Sequence, residues 1–196
     1  MSTSSPSEPL LTAEDLYDLP DDGRHRYELV DGRLVVSEPP GMTHGGITVN
    51  FAMLLGTFVR QHRLGRVYGE AGYVLRRGPD TVRGPDVSFV RADRLPPRGR
   101  AHRFYEGAAD LVVEIVSPGD RAGELARKVA GYLAAGTALV WVVYPEIRTV
   151  VAHRPDGTAR VHGEDDTLHG GDVLPGFAVR VAELFPELPD APPDGA

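Results

Sequence analysis

Apolar positions recur along this chain with two periods, about two residues and about 3.6, and each change of period marks an element. TAEDLYDLP, residues 12–20, predicts a short helix: Thr12 caps it, Asp15 completes a capping box and Pro20 closes it. YELVDGRLVV predicts a hairpin with Asp31-Gly32 at the turn. Ile47, Phe51, Leu54, Leu55, Phe58 and Val59 then recur at helical spacing, with Thr43 as the candidate N-cap. GRVYGEAGYVLRRG and GPDVSFVRA predict consecutive strands separated by Gly/Pro turns. ADLVVEIVS is apolar at almost every position, the pattern of a strand buried on both faces. After Ser117-Pro118 the period lengthens again. Leu125, Val129 and Leu133 lie at i, i+4 and i+8, and the helix should end near Gly136. ALVWVVYP and TVVAHRPDG supply further strands. Strand, helix and strand between Val112 and Val143 predict one right-handed crossover. The expected class is therefore α/β (α+β), a central mixed β-sheet flanked by helices with an N-terminal β-hairpin.

At 196 residues the chain suits one domain with a sizeable core, and no internal repeat is visible. Residues 11–187 are the expected domain, between Pro/Ser/Asp-rich segments 1–10 and 188–196 that read as disordered tails. Cysteine is absent, which excludes disulfides and thiolate metal sites. The first residues have neither a basic region nor an apolar run, so they do not read as a signal peptide. The uncharged run Gly131–Pro145 is too short and too interrupted to span a bilayer. The expectation is a soluble, cytoplasmic protein without a membrane partner.

Charge changes this picture locally. The net formal charge of −7 argues against a polyanionic partner, yet Arg60 to Arg103 holds 11 arginines against four acids, a local +7. Such a segment can meet a phosphate backbone, and Arg98, Arg100 and Arg103 are its candidate contacts. The alternative is a solvated arginine-rich loop. Lysine tells more: Lys128 is the only one among 21 basic residues.

The candidate chemistry lies around that lysine. In PDVSFV, Asp86, Ser88 and Val90 share one strand face; in LVVEIV, Val112, Glu114 and Val116 do. If the two strands are neighbours in register, Asp86 and Glu114 converge. A carboxylate in an apolar strand needs a partner, and two that converge repel unless a hard divalent cation lies between them. Lys128 falls at the border of the helix's apolar stripe, one turn before Tyr132. It could fold back toward the Glu114 strand, or pair with Glu124 four residues earlier as a surface ion pair.

YELVDG, GPDVSFV, LVVEIVSPGDR and RKVAGYLAAGTALVWVVYPEIRTV, in that order, resemble the Uma-type restriction endonucleases, a branch of the PD-(D/E)XK nuclease superfamily. The resemblance covers roughly Leu16 to Phe185. It implies a restriction-endonuclease-like core with a divalent-metal site, Mg²⁺ with Mn²⁺ as the substitute. Asp86 matches the first metal carboxylate and Glu114 the second. The superfamily's usual lysine position, two after the Glu, is Val116 here, and Lys128 on the following helix takes its place. Val116 would offer only its backbone carbonyl to the metal. Glu28 in YELVDG and His44 in GMTHGG match weaker motifs: a third acid near the metal or else an exposed strand carboxylate, and a histidine before a helix that contacts phosphate or orients water or else is incidental.

The implied activity is Mg²⁺-dependent hydrolysis of DNA phosphodiesters, by a monomer or a homodimer. One rival is a noncatalytic nucleic-acid-binding or dimerisation module on the same fold; the complete Asp86, Glu114, Lys128 set weighs against it. The other is a two-carboxylate glycosidase. A single Trp and 7% aromatic residues give it little support.

Overall fold

The first hairpin follows from its turn. In a computed structural model, which describes residues 9–20, 22–96 and 103–186, Asp31 and Gly32 hold φ of 53° and 73°. Positive φ at both central positions matches the twist of the strands they join. These are β1 (Arg26–Val30) and β2 (Arg33–Ser37), paired antiparallel. Helix α1 (Ala13–Tyr17) precedes them, with Thr12 and Asp15 forming the reciprocal capping box. The two tails expected from composition lie largely outside the described residues, as do Arg98 and Arg100.

Four short strands follow the long helix α2 (Met42–His62): β3 (Gly65–Gly69), β4 (Tyr73–Arg76), β5 (Thr81–Arg83) and β6 (Val87–Arg91). Consecutive in sequence, they divide between two sheets. β4 and β5 join the hairpin and β7 (Tyr105–Glu106) in a five-stranded sheet ordered β2-β1-β5-β4-β7. β3 and β6 pair with each other in the six-stranded sheet. That sheet gains β8 (Leu111–Ile115), β9 (Leu139–Tyr144), β10 (Thr149–His153) and β11 (Ala159–His162), in the order β11-β10-β9-β8-β6-β3. It is mixed: β8 and β9 run parallel, joined through α3 (Ala122–Ala134), and the other pairs are antiparallel.

The six-stranded sheet is covered on both sides, which explains why β8 is apolar on both faces apart from Glu114. On one side Val87, Phe89, Leu111, Val113, Leu139 and Trp141 meet Ile47, Phe51, Leu55 and Val59 of α2. On the other, Val90, Val112, Val140 and Val142 pack with Val129 and Tyr132 of α3 and Tyr73 of β4. A third, smaller core holds α1 against Leu29, Val74 and Val82 of the five-stranded sheet.

Two expectations change. The cap of α2 is Gly41, in extended conformation, so Thr43 lies inside the helix. The helix starts earlier because the Gly41 carbonyl already accepts from the Gly45 N–H at 3.0 Å. His44 accordingly sits in the first helical turn and is not a loop residue. The run from Gly131 to Pro145 is also not the segment to judge for membrane crossing. Among the described residues, α2 alone is long and apolar enough by length and composition, and here one of its faces builds the main core.

Candidate active site

The antiparallel register of β6 and β8 sets Val87 opposite Val113 and Ser88 opposite Val112. One step further, Asp86 falls beside Glu114. Strand alternation turns both carboxylates to the α3 side of the sheet, as the sequence predicts. Both are buried, at 5% and 6% exposure. The end of the β6–β8 ladder is closed by the Asp86 side chain, whose Oδ2 accepts from the Ile115 N–H at 2.8 Å.

Lys128 reaches this pair from α3. Its Nζ lies 2.8 Å from Glu114 Oε2 and 3.4 Å from Glu28 Oε1. One turn on, the buried Tyr132 hydroxyl donates to Glu114 Oε1 at 2.7 Å. The i, i+4 spacing thus directs both side chains onto one carboxylate. The surface ion pair with Glu124 does not form among the described residues; Lys128 turns inward.

Glu28 arrives from the hairpin. Leu29 pairs with Val82 across β1 and β5, which brings Glu28 level with Arg83. Arg83 donates to Glu28 Oε2 at 2.6 Å, and the Gly84 N–H donates to Oε1 at 2.8 Å. His44 comes from the opposite side, its Nε2 3.2 Å from Asp86 Oδ2. It therefore braces a carboxylate of the site. Val116, the first residue after β8, donates its N–H to the Val143 carbonyl at 2.9 Å. Its side chain lines an apolar groove with Leu125 and Tyr144, away from the polar pocket.

That pocket, of about 250 Å³, is lined by Arg26, Tyr27, Glu28, Ser37, Glu70, Gly84, Asp86 and Lys128. Arg26, Arg83 and Glu70 were not among the sequence candidates. Arg26 shares a β1 face with Glu28 by alternation, and its Nη1 lies 3.2 Å from Asp86 Oδ1 while Nη2 pairs with Glu70. Arg83 carried no sequence signal, because its register with Glu28 joins β1 to the distant β5. Strand alternation places Arg26 on the Glu28 face, but its meeting with Glu70 depends on a contact between the two sheets.

Burial sets the electrostatics. It pushes the Glu114 carboxyl up to about 7; Lys128 and Tyr132 oppose the rise, and the negative Asp86 adds to it. For Asp86, burial is outweighed by His44, the Ile115 N–H and Lys128, which hold its carboxyl below the ordinary range. Glu28 is likewise held low, against burial, by Lys128 and Arg83. Burial works against a charged Lys128, but Glu114 and Glu28 prevail and keep it firmly protonated.

The donor set fits a hard divalent cation in kind. Two adjacent carboxylates of oxygen-donor chemistry, one of them strained by the other's charge, are what Mg²⁺ neutralises. Among the described residues no group of three or more His, Cys, Asp or Glu side chains forms a ready-made cage.

The candidate basic surface is less free than its charge count. Arg76 pairs with Asp31, Arg77 with Glu14, Arg91 with Asp93 and Arg94 with Asp110, besides Arg83 with Glu28. Arg103 is exposed and lies over the Tyr17 ring, 5.0 Å from its centroid.

Comparison with known proteins agrees with this architecture. Residues 13–182 match the model of the Uma2 family, described as "Putative restriction endonuclease". A crystal structure of a "putative nuclease belonging to DUF820" from Anabaena variabilis superposes with a TM-score of 0.77 at 21% identity, covering 89% of this chain and 97% of that one. At that identity the likeness establishes the fold. A search of curated proteins gave no match.

Proposed function

Because the chain belongs to the Uma2 family of restriction-endonuclease-like proteins, we propose that it is a Mg²⁺-dependent endonuclease that hydrolyses DNA phosphodiester bonds at the Asp86–Glu114–Lys128 site. The observation that carries this reading is the position of Lys128. The chain's only lysine crosses from α3 to within 2.8 Å of a buried carboxylate.

Charge balance supports a requirement for a cation. With every group ionised, four carboxylates (Glu28, Glu70, Asp86, Glu114) meet three cations (Arg26, Arg83, Lys128). A phosphodiester entering that net negative pocket is repelled; one divalent cation added to the pocket and the phosphodiester together makes the sum neutral. Asp86 and Glu114 would hold the ion, which when bound supplies Lewis-acid charge and a more acidic water.

The chain's own groups do the rest. Tyr132 and Lys128 fix the two oxygens of Glu114, and His44 with the Ile115 N–H fixes Asp86. The Arg83–Glu28 pair limits where Lys128 Nζ can go, holding it ready to orient a water or to neutralise charge developing on phosphate. Arginine cannot mimic that compact ammonium.

A noncatalytic binding module is the second reading, favoured by the ion pairing of every carboxylate named above. One assay separates them: nicking of supercoiled plasmid in Mg²⁺, in Mn²⁺ and in EDTA, for wild type and Glu114→Ala. The nuclease reading expects nicking with either metal, none in EDTA and none by the variant. Equal nicking by both proteins, or none by wild type, overturns it.

A further inference from the structure

We propose that Arg26 is a phosphate-positioning residue that is exchanged from Asp86 to the substrate when a divalent cation binds. This deepens the nuclease reading above and rests on it. Asp86 has two oxygens in unequal situations. Oδ2 accepts from the Ile115 N–H and faces His44, whereas Oδ1 meets Arg26 alone among the described residues. Oδ1 is thus the oxygen on which an incoming cation can be received, and a guanidinium occupies it.

The hold is loose. Charge-assisted bonds of this kind run to about 2.7–2.9 Å, and Arg26 Nη1 stands at 3.2 Å. Lys128, by contrast, is at 2.8 Å from Glu114. Arg26 is also the more accessible cation, 30% exposed against 20% for Lys128, as a residue at the pocket mouth should be.

A divalent ion on Oδ1 puts like charges within a few ångströms of each other and repels the guanidinium. Arg26 then stays near the mouth, because its second nitrogen is tethered to Glu70. Glu70 follows β3 with φ of 52°, a conformation costly for a long side chain, and its carboxylate serves as the tether. A phosphodiester bound at the cation lies in front of a freed, planar guanidinium suited to two phosphate oxygens. Arg26 thus neutralises Asp86 before metal binds and takes hold of substrate afterwards.

This exchange requires opposite effects on metal and on DNA, which a merely structural ion pair does not. Mg²⁺ alone is titrated into Arg26→Ala by calorimetry, and duplex DNA binding is measured separately in Ca²⁺ across a salt series. Mg²⁺ should bind about tenfold more tightly and DNA about tenfold more weakly, the scale of one charged hydrogen bond. The log–log salt slope should fall by about 0.9, one phosphate contact. Arg26→Lys should recover part of the DNA affinity. Glu70→Gln, at an exposed position, should weaken DNA binding, because Arg26 loses its tether. It decides the matter if Arg26→Ala does not fold. Weaker Mg²⁺ binding by Arg26→Ala, unchanged DNA affinity in it, or unchanged DNA affinity in Glu70→Gln overturns the exchange while wild-type nicking in Mg²⁺ stands. Wild type that neither binds Mg²⁺ nor nicks overturns both readings.

Discussion

Asp86 stands beside Glu114 at the end of the β6–β8 register, and the Ile115 N–H donates to its Oδ2 at 2.8 Å. One buried carboxylate is held ionised by its neighbours, while burial and the first carboxylate's charge raise the second to about 7. Two like groups side by side are thus displaced in opposite directions by their surroundings.

Metal affinity should therefore depend on pH. A Mg²⁺ ion held by Glu114 would have to displace its proton, so affinity should be constant well above pH 7 and fall below it, by about tenfold per unit at the limit. Calorimetric titration of Mg²⁺ between pH 6 and 8.5 tests this. A flat profile would show that Glu114 is not a ligand.

Glu114 also makes folding stability depend on pH in metal-free protein. Its folded value, about 7, lies above the ordinary 4.5, so the native state binds this proton more tightly than the unfolded one. The cost of ionising it is absent below about pH 4.5, grows toward pH 7 and then levels off. Glu114→Gln should remove that dependence. Its check is chemical denaturation across this range in EDTA, compared with wild type.

Tyr132→Phe removes the hydroxyl that donates to Glu114 Oε1 and keeps the ring. Loss of one buried bond to a carboxylate should cost about 1.5–3 kcal/mol where Glu114 is ionised, and less where it is protonated. Mg²⁺ affinity should also fall, because Glu114 is no longer oriented. Denaturation at pH 6 and pH 8.5 separates the two regimes.

Asp80 provides a control whose hydrogen-bond partners lie outside the site. Its Oδ2 accepts from the Ala13 N–H at 2.8 Å, and Arg77 and the Gly78 N–H contact the same carboxylate. Burial opposes its ionisation, but these partners hold it below the ordinary 3.8. Its contribution is complete above that value and is lost as pH falls through the lower, folded one. Asp80→Asn should cost about 1–2 kcal/mol at neutral pH and leave nicking unchanged. Reduced nicking would mean that the contact of α1 with Asp80 also positions the site.

Much of this was legible in the chain because it is local. The hairpin turn, the capping box, the helix after Ser117-Pro118 and the shared faces of Asp86 and Glu114 depend on neighbours within a few residues. What escaped depends on partners far apart. The division of β3 to β6 between two sheets is a choice of pairing that alternation alone does not encode. The pairing of Arg83 with Glu28 and Arg94 with Asp110 crosses tens of residues, so a charge count overstated the free basic surface. Arg26 and Glu70 meet only because β1 of one sheet comes beside the end of β3 in the other.

Lys128 admits the sharpest test, because its two readings now predict different failures. A lysine that only balances Glu114 can be exchanged for arginine, which carries the same charge and suits a protein otherwise built with arginine. A lysine that serves a reacting phosphate cannot, because the guanidinium is broad and donates in a fixed fork. Lys128→Arg should fold, bind Mg²⁺ within a few-fold of wild type and nick plasmid about 10²-fold more slowly, the scale of losing one transition-state donor. Lys128→Met should lose activity to the same extent. It should also unfold more easily as pH rises, since Glu114 then has to ionise without its ammonium partner. Near wild-type nicking by Lys128→Arg would reduce the residue to a counter-charge. Its position 2.8 Å from Glu114 would then be structural.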